Sequence, residues 1–303
     1  MHAADALQAD IDRTGSIACV GLDPRPALLP PVLIQEALAR HGDTRAAVAA
    51  AFTTFNHGLL AACVGHCAAV KPQLACYEAY GAEGLAAFEA TVREARRLGL
   101  LVIADGKRND IGSTAEHYAQ GFLGTAPGLG GARLPGMGAN WLTVNGYLGS
   151  DGITPFSGTA PAGTGIYVLV KTSNPSSGDL QDQGEGGATV MERMAGLVSA
   201  WGAPRRGACG LSDIGAVVGA TWPDQARRLR ALMPDTPFLV PGYGAQGGGA
   251  SDALAGIRAD GRGVLVNSSR GIIAAWQATK THDWQGAAQA ALVAMNADLA
   301  SAR

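Results

Sequence analysis

The sequence predicts an α/β protein of the (β/α)8 TIM barrel class, and three observations lead there. Short apolar runs recur eight times along the 303 residues. Helix-like stretches separate most of them, the alternation that builds a parallel sheet. Charged residues stand just after the apolar runs, where parallel α/β enzymes hold their chemistry. The runs are Ile17 to Gly21, Ala68 to Lys71, Leu100 to Ala104, Trp141 to Val144, Ile166 to Val170, Ile214 to Val218, Pro237 to Val240 and Gly263 to Val266. Helices are expected over Thr44 to Ala62, Gly84 to Leu98, Ser113 to Gln120, Ala188 to Trp201, Pro223 to Met233 and from Ala274 onward. Eight such units close a barrel; a doubly wound open sheet has similar periodicity and is the competing class. No linker divides the chain, so residues 1–303 read as one domain. Two stretches exceed simple connections: a Gly- and Pro-rich insertion near 121–138, and a polar segment near 172–187 where barrel enzymes carry lids.

Composition narrows the function. Hydrophobic residues at 47% supply a large core, and 16% charged argues against disorder. A formal net charge of -2 makes no electrostatic case for nucleic acid or a membrane surface. No uninterrupted apolar stretch has transmembrane length, and the first residues, Met1-His2-Ala3-Ala4-Asp5, lack the basic and apolar regions of a secretory signal. Five cysteines, three of them in or beside apolar runs, read as buried small hydrophobes of a reducing cytoplasm. Cys63-Val64-Gly65-His66-Cys67 has three potential ligands but neither C-x-x-C spacing nor a second pair, so no metal is expected there.

The densest chemistry follows the third run, in Asp105-Gly106-Lys107-Arg108-Asn109-Asp110. On a strand Asp105 and Lys107 point the same way. Lys71 ends the second run, so neighbouring strands can assemble Lys71, Asp105, Lys107 and Asp110 into a row of alternating charge. Carboxylates beside a lysine favour its ammonium form, which suits a proton donor and not a base or Schiff-base nucleophile. A structural ion-pair network is the alternative, but such charges are costly at apolar strand ends without a functional return. Asp23, after the first run, is placed either to bond sugar hydroxyls or to cap the turn before Pro24.

After the seventh run comes Pro241-Gly242-Tyr243-Gly244-Ala245-Gln246-Gly247-Gly248, and Arg270 follows the eighth. Glycine amides with a nearby cation suit phosphate, and barrels commonly bind it in these two loops. Gly242, Gly244 and Gly247 also spell G-x-G-x-x-G, but the acid that a dinucleotide's ribose requires is missing: the next strand ends Val266-Asn267.

These segments, with Val170-Lys171-Thr172-Ser173-Asn174-Pro175 and Gly215 to Thr221, resemble the orotidine 5'-phosphate decarboxylase family, particularly its longer bacterial branch, the type 2 subfamily. The D-x-K-x-x-D block alone is shared with related sugar-phosphate barrels, including metal-dependent hexulose-phosphate synthases. A non-catalytic nucleotide binder is the rival from another class. The resemblance implies a cytoplasmic, cofactor-free and metal-free homodimer that converts orotidine 5'-monophosphate to UMP and carbon dioxide, the last step of de novo UMP synthesis. It implies that Lys107 protonates C6, Asp105 faces the substrate carboxylate and Lys71 joins the charge row. Asp110, with Ile111 and Thr114, would serve the neighbouring subunit's site. Asp23 would contact ribose, Ser173 or the adjacent Thr172 the pyrimidine, and Gln246, Gly247, Gly248 and Arg270 the phosphate. Asn109, where the family block has Gly, and Gly146, where this branch has Pro after Asn145, depart from the pattern.

Overall fold

Alternate residues of a strand face opposite ways, so a run that is apolar throughout must bury both faces. The computed structural model, which describes residues 1–158, 163–184, 186–244 and 246–303, meets that requirement with a closed barrel. Its parallel strands are β1 (Ala18–Leu22), β2 (Ala69–Pro72), β3 (Leu101–Arg108), β4 (Trp141–Val144), β5 (Gly165–Lys171), β6 (Ile214–Val218), β7 (Phe238–Val240) and β8 (Val264–Ser268). Each pairs with its sequence neighbours, and β8 returns to β1 with Cys19 opposite Asn267. Closure excludes the open doubly wound sheet and leaves the barrel without an edge.

The two strand faces feed two cores. Val20, Val70, Val102, Leu142, Val168, Ala216 and Val266 pack outward against the helices. Cys19, Ala69, Ile103, Trp141, Tyr167, Val217, Leu239 and Leu265 fill the barrel. The Trp141 and Tyr167 rings, whose centroids lie 4.7 Å apart, are the largest side chains of that filling. Gly215 makes room for them, since a Cβ there would stand 2.4 Å from the Tyr167 ring.

A helix that the periodicity does not announce, Ala3–Thr14, plugs the barrel beneath these rings. Its Ala3 and Leu7 join the interior cluster, and Asp5 accepts hydrogen bonds from the amides of Ala208 and Cys209. Helices Pro31–His41 and Leu74–Glu78 are likewise additions to the expected list. The helix expected from Ala274 onward is two, Ala275–Thr279 and Trp284–Ser301, broken where Lys280 turns left-handed at φ 52°. Helix Arg45–Cys63 has the length and apolarity to cross a membrane, but buries Phe52, Phe55, Leu59 and Leu60 in the outer core.

The insertion near 121–138 begins inside helix Gly112–Phe122 and carries a small antiparallel hairpin, Thr125–Pro127 with Arg133–Pro135. The segment near 172–187 includes a short 3-10 turn, Pro175–Asp179. Glu185 and Ala245, in two of the loops read from sequence, lie outside the described residues. At Cys63 to Cys67 both thiols are buried; Cys67 Sγ donates to the Cys63 carbonyl at 3.7 Å, and His66 meets Gln289.

Candidate active site

β3 runs four residues beyond its apolar stretch because Asp105 and Lys107 keep the strand alternation and turn into the barrel. Its register against β4 shifts between Ala104 and Arg108. Lys107 takes a φ of 45°, a strained conformation for a residue with a side chain. The Lys107 amide, displaced from regular pairing, donates to Thr143 Oγ1 at 3.0 Å.

Asp105 is the hub. Its Oδ2 accepts from Lys71 Nζ at 2.7 Å and Gln73 Nε2 at 2.9 Å. Its Oδ1 accepts from Lys107 Nζ at 2.6 Å and Thr143 Oγ1 at 2.8 Å. Four donors occupy the four lone-pair sites of one carboxylate. Lys71 Nζ also stands 4.0 Å from Asp23 Oδ1. Burial alone would raise the Asp105 carboxyl, but the two ammonium groups and their hydrogen bonds outweigh it and hold the group well below the ordinary carboxylate range. Burial likewise pulls Lys71 down, and the charges of Asp105 and Asp23 more than reverse that, leaving it above the ordinary lysine value. Lys107 differs from Lys71 in access: its side chain is 45% exposed, against 6%.

Three members of the expected row thus meet in one chain and the fourth does not. Asp110 accepts a bond from the Ile111 amide and stays outside the central cavity, and the following Ile111 and Thr114 are exposed. Lys107 is therefore not held between Asp105 and Asp110 of its own chain; Asp105 is held between two lysines. Past β3 the chain turns away from the barrel axis to start helix Gly112–Phe122, and Asp110 leaves with it.

The cavity over this row measures about 740 Å³, enough for a mononucleotide. Asp23, Lys71, Gln73, Asp105, Lys107 and Thr143 form one wall. Leu169, Val217 and Leu239 give an apolar floor, and Gln246 and Arg270 also line the cavity. The Gly247 and Gly248 amides expected near them donate within their own loop, to the carbonyls of Gly244 at 2.8 Å and Gly242 at 3.2 Å. Thr172 and Ser173 both line the cavity. The Thr172 hydroxyl is committed, donating to Asn174 Oδ1 at 2.6 Å and accepting from Gln181 Nε2 at 2.8 Å. Ser173 Oγ has no such bond among the described residues.

Gln73, Thr143 and Asn267 are cavity residues that the sequence reading did not select. Each left a signal. Gln73 is two residues after Lys71 and shares its face, while Thr143 and Asn267 are polar residues inside or directly after apolar strands.

Comparison with known proteins adds what geometry leaves open. Residues 19–282 match the family described as Orotidine 5'-phosphate decarboxylase / HUMPS family. The chain is 44% identical over 306 residues to an orotidine 5'-phosphate decarboxylase of Rhodopirellula baltica, covering 99% of both chains. It is 40% identical over 282 residues to the protein of that name from Haloarcula marismortui, covering 93% of this chain and 90% of that one. The solved structure of Leishmania donovani OMP decarboxylase superposes with a TM-score of 0.74 at 32% identity, covering 99% of each. A closed eight-stranded barrel, a Lys-Asp-Lys row at its carboxyl end and these likenesses agree: the chain belongs to the orotidine 5'-phosphate decarboxylase / HUMPS family.

Proposed function

We propose that this protein decarboxylates orotidine 5'-monophosphate to UMP and carbon dioxide, with Lys107 delivering the proton to C6. The observation that carries the reading is the saturated Asp105 carboxylate, fixed between Lys71 and Lys107 at 2.7 and 2.6 Å. Phosphate binds at Gln246 and Arg270, which places ribose near Asp23 and Lys71 and the pyrimidine near Ser173. The substrate carboxylate then lies against Asp105, a like-charge contact that is relieved as carbon dioxide leaves. The C6–carboxylate bond breaks, its electron pair stays on C6, and that strongly basic carbanion takes a proton from the Lys107 ammonium. The lysine leaves as neutral amine and recovers its proton from solvent. Asp105 does not compete for this proton, because its own affinity for protons is depressed by the two lysines. Remote phosphate binding supplies energy that offsets the crowding at the reacting end. The active form is a homodimer in which Asp110, half-buried outside its own chain's cavity, completes the partner's charge row.

The test is the fall in orotidine monophosphate absorbance on adding chelator-treated protein. Turnover is expected without metal, and Lys107→Ala is expected to lose at least ~1,000-fold in kcat. Folded protein with no turnover refutes the reading. Activity that appears only with a divalent cation points to a sugar-phosphate enzyme of the same barrel. A Lys107→Ala variant that keeps its turnover removes the lysine from the chemistry.

A further inference from the structure

Among the described residues, three buried oxygen atoms of the cavity lining have no hydrogen-bond partner: Asp23 Oδ1, Ser177 Oγ and Asn267 Oδ1. The proposed chemistry employs Asp23 and leaves Asn267 without a task. Asn267 is 7% exposed, and a buried carbonyl oxygen without a donor is rare unless a ligand supplies one. An amide in that place is not needed for packing. The neighbouring interior positions of β6 and β7 at the cavity floor are Val217 and Leu239.

The place of Asn267 limits what can satisfy it. It lies three residues before Arg270 and opposite Cys19 of β1. The next interior position of β1 is Gly21, which faces Lys71 of β2 in register. A Cβ on Gly21 would fall 3.3 Å from Asn267 Oδ1 and 1.9 Å from Ser269 Oγ, so these two polar atoms lie over the bare backbone of Gly21. Asn267 Oδ1 therefore occupies the stretch between the phosphate anchor at Arg270 and the charge row at Lys71. An acceptor needs a donor, and neither a phosphate nor a carboxylate has a proton to give. The part of a nucleotide between phosphate and base is the ribose, whose hydroxyls donate.

We propose that Asn267 is a specificity residue of this enzyme, its Oδ1 accepting a hydrogen bond from a ribose hydroxyl of the bound nucleotide. The inference rests on the decarboxylase reading above and goes beyond it in adding the β8 side of the ribose site.

The experiment is calorimetric titration of the intact enzyme, Asn267→Ala and the near-isosteric Asn267→Leu with UMP, 2'-deoxy-UMP and 3'-deoxy-UMP, beside turnover of orotidine monophosphate. UMP affinity is expected to fall about tenfold in both variants. One deoxy analogue is expected to bind all three proteins equally, because it lacks the hydroxyl that Asn267 reads. The intact enzyme should bind that analogue more weakly than UMP, a comparison that needs no variant to fold. Equal losses for all three nucleotides, or no loss for UMP, overturn the role of Asn267 while turnover of the intact enzyme keeps the decarboxylase reading standing. Absence of both turnover and UMP binding in the intact enzyme overturns both.

Discussion

At the scale of single residues, Thr143 ties the strained backbone to the charge row. Its hydroxyl accepts from the Lys107 amide and donates to Asp105 Oδ1. Thr143→Val keeps the shape and removes both bonds. We expect kcat to drop at least ~10-fold with KM within about twofold, since the loss is felt where Lys107 and Asp105 meet the reacting carbon. Steady-state kinetics check this, and an unchanged kcat would show that the row holds its geometry without Thr143. The Asp105–Lys71 pair is insensitive to pH near neutrality. Asp105, depressed in the fold, contributes stability above the unfolded carboxylate value of about 3.9 and loses it as pH falls through its lower folded value. Lys71, elevated in the fold, contributes fully below the unfolded value of about 10.4 and loses that as pH rises through its higher folded value. Between these limits both groups stay charged and the hub stays intact.

At the scale of elements, the segment after β5 is pinned at both ends and spans the cavity between them. Lys171, fully buried, puts Nζ 2.7 and 2.8 Å from the two Asp182 oxygens and lies 4.5 Å over the Trp222 ring. The Trp222 indole donates to the Thr172 carbonyl at 2.9 Å, and the Gln181 side chain bonds both the amide and the hydroxyl of Thr172. Ser176, Ser177, Asp179 and Leu180 are thereby carried over the mouth of the site. Asp182→Asn leaves the Lys171 ammonium buried without a countercharge. Because Asp182 is itself 37% exposed, we expect a loss of about 1–3 kcal/mol and not the full penalty of a sealed pair. Urea unfolding measures it; a change under about 0.5 kcal/mol would mean that the pair does not hold the segment. The polarity and glycine content of residues 172–187 mark a loop in sequence. That a lysine ending an apolar strand bonds back to this loop and not into the active site depends on the irregular β5–β6 pairing between Leu169 and Lys171.

At the scale of the whole molecule, the barrel supplies most of a site, and the half-buried Asp110 with the exposed Ile111 to Thr114 is the part that does not turn inward. If Asp110 serves a partner, Lys107→Ala and Asp110→Ala chains complement each other. Random exchange makes half of the dimers mixed, each with one intact site of two, so about a quarter of full activity should return. The check is an activity assay on the mixture after subunit exchange has been verified; exchange without recovery would place Asp110 outside the partner's chemistry.

What the sequence determined by itself was whatever obeys local periodicity. Eight buried runs, their helices and the facing of Asp105 with Lys107 follow from two-residue and 3.6-residue repeats, whereas closure into a barrel over a doubly wound sheet is settled by the pairing of β8 with β1. Lys71, Asp105 and Lys107 were legible as a row because charges directly after apolar strands are conspicuous. The tertiary structure decided everything that depends on which distant residues meet. The plug helix Ala3–Thr14 carries only two large apolar side chains, Leu7 and Ile11, and the open lower end of the barrel gives Leu7 something to cover. Gln73 and Thr143 become partners of Asp105 through strand register, and Asn267 acquires meaning only beside the bare Gly21. Asp110, next to the row in sequence, is removed from it by a turn of the backbone. Spacing along a strand is a local property of the chain, whereas hydrogen-bond saturation and burial are properties of the assembled barrel.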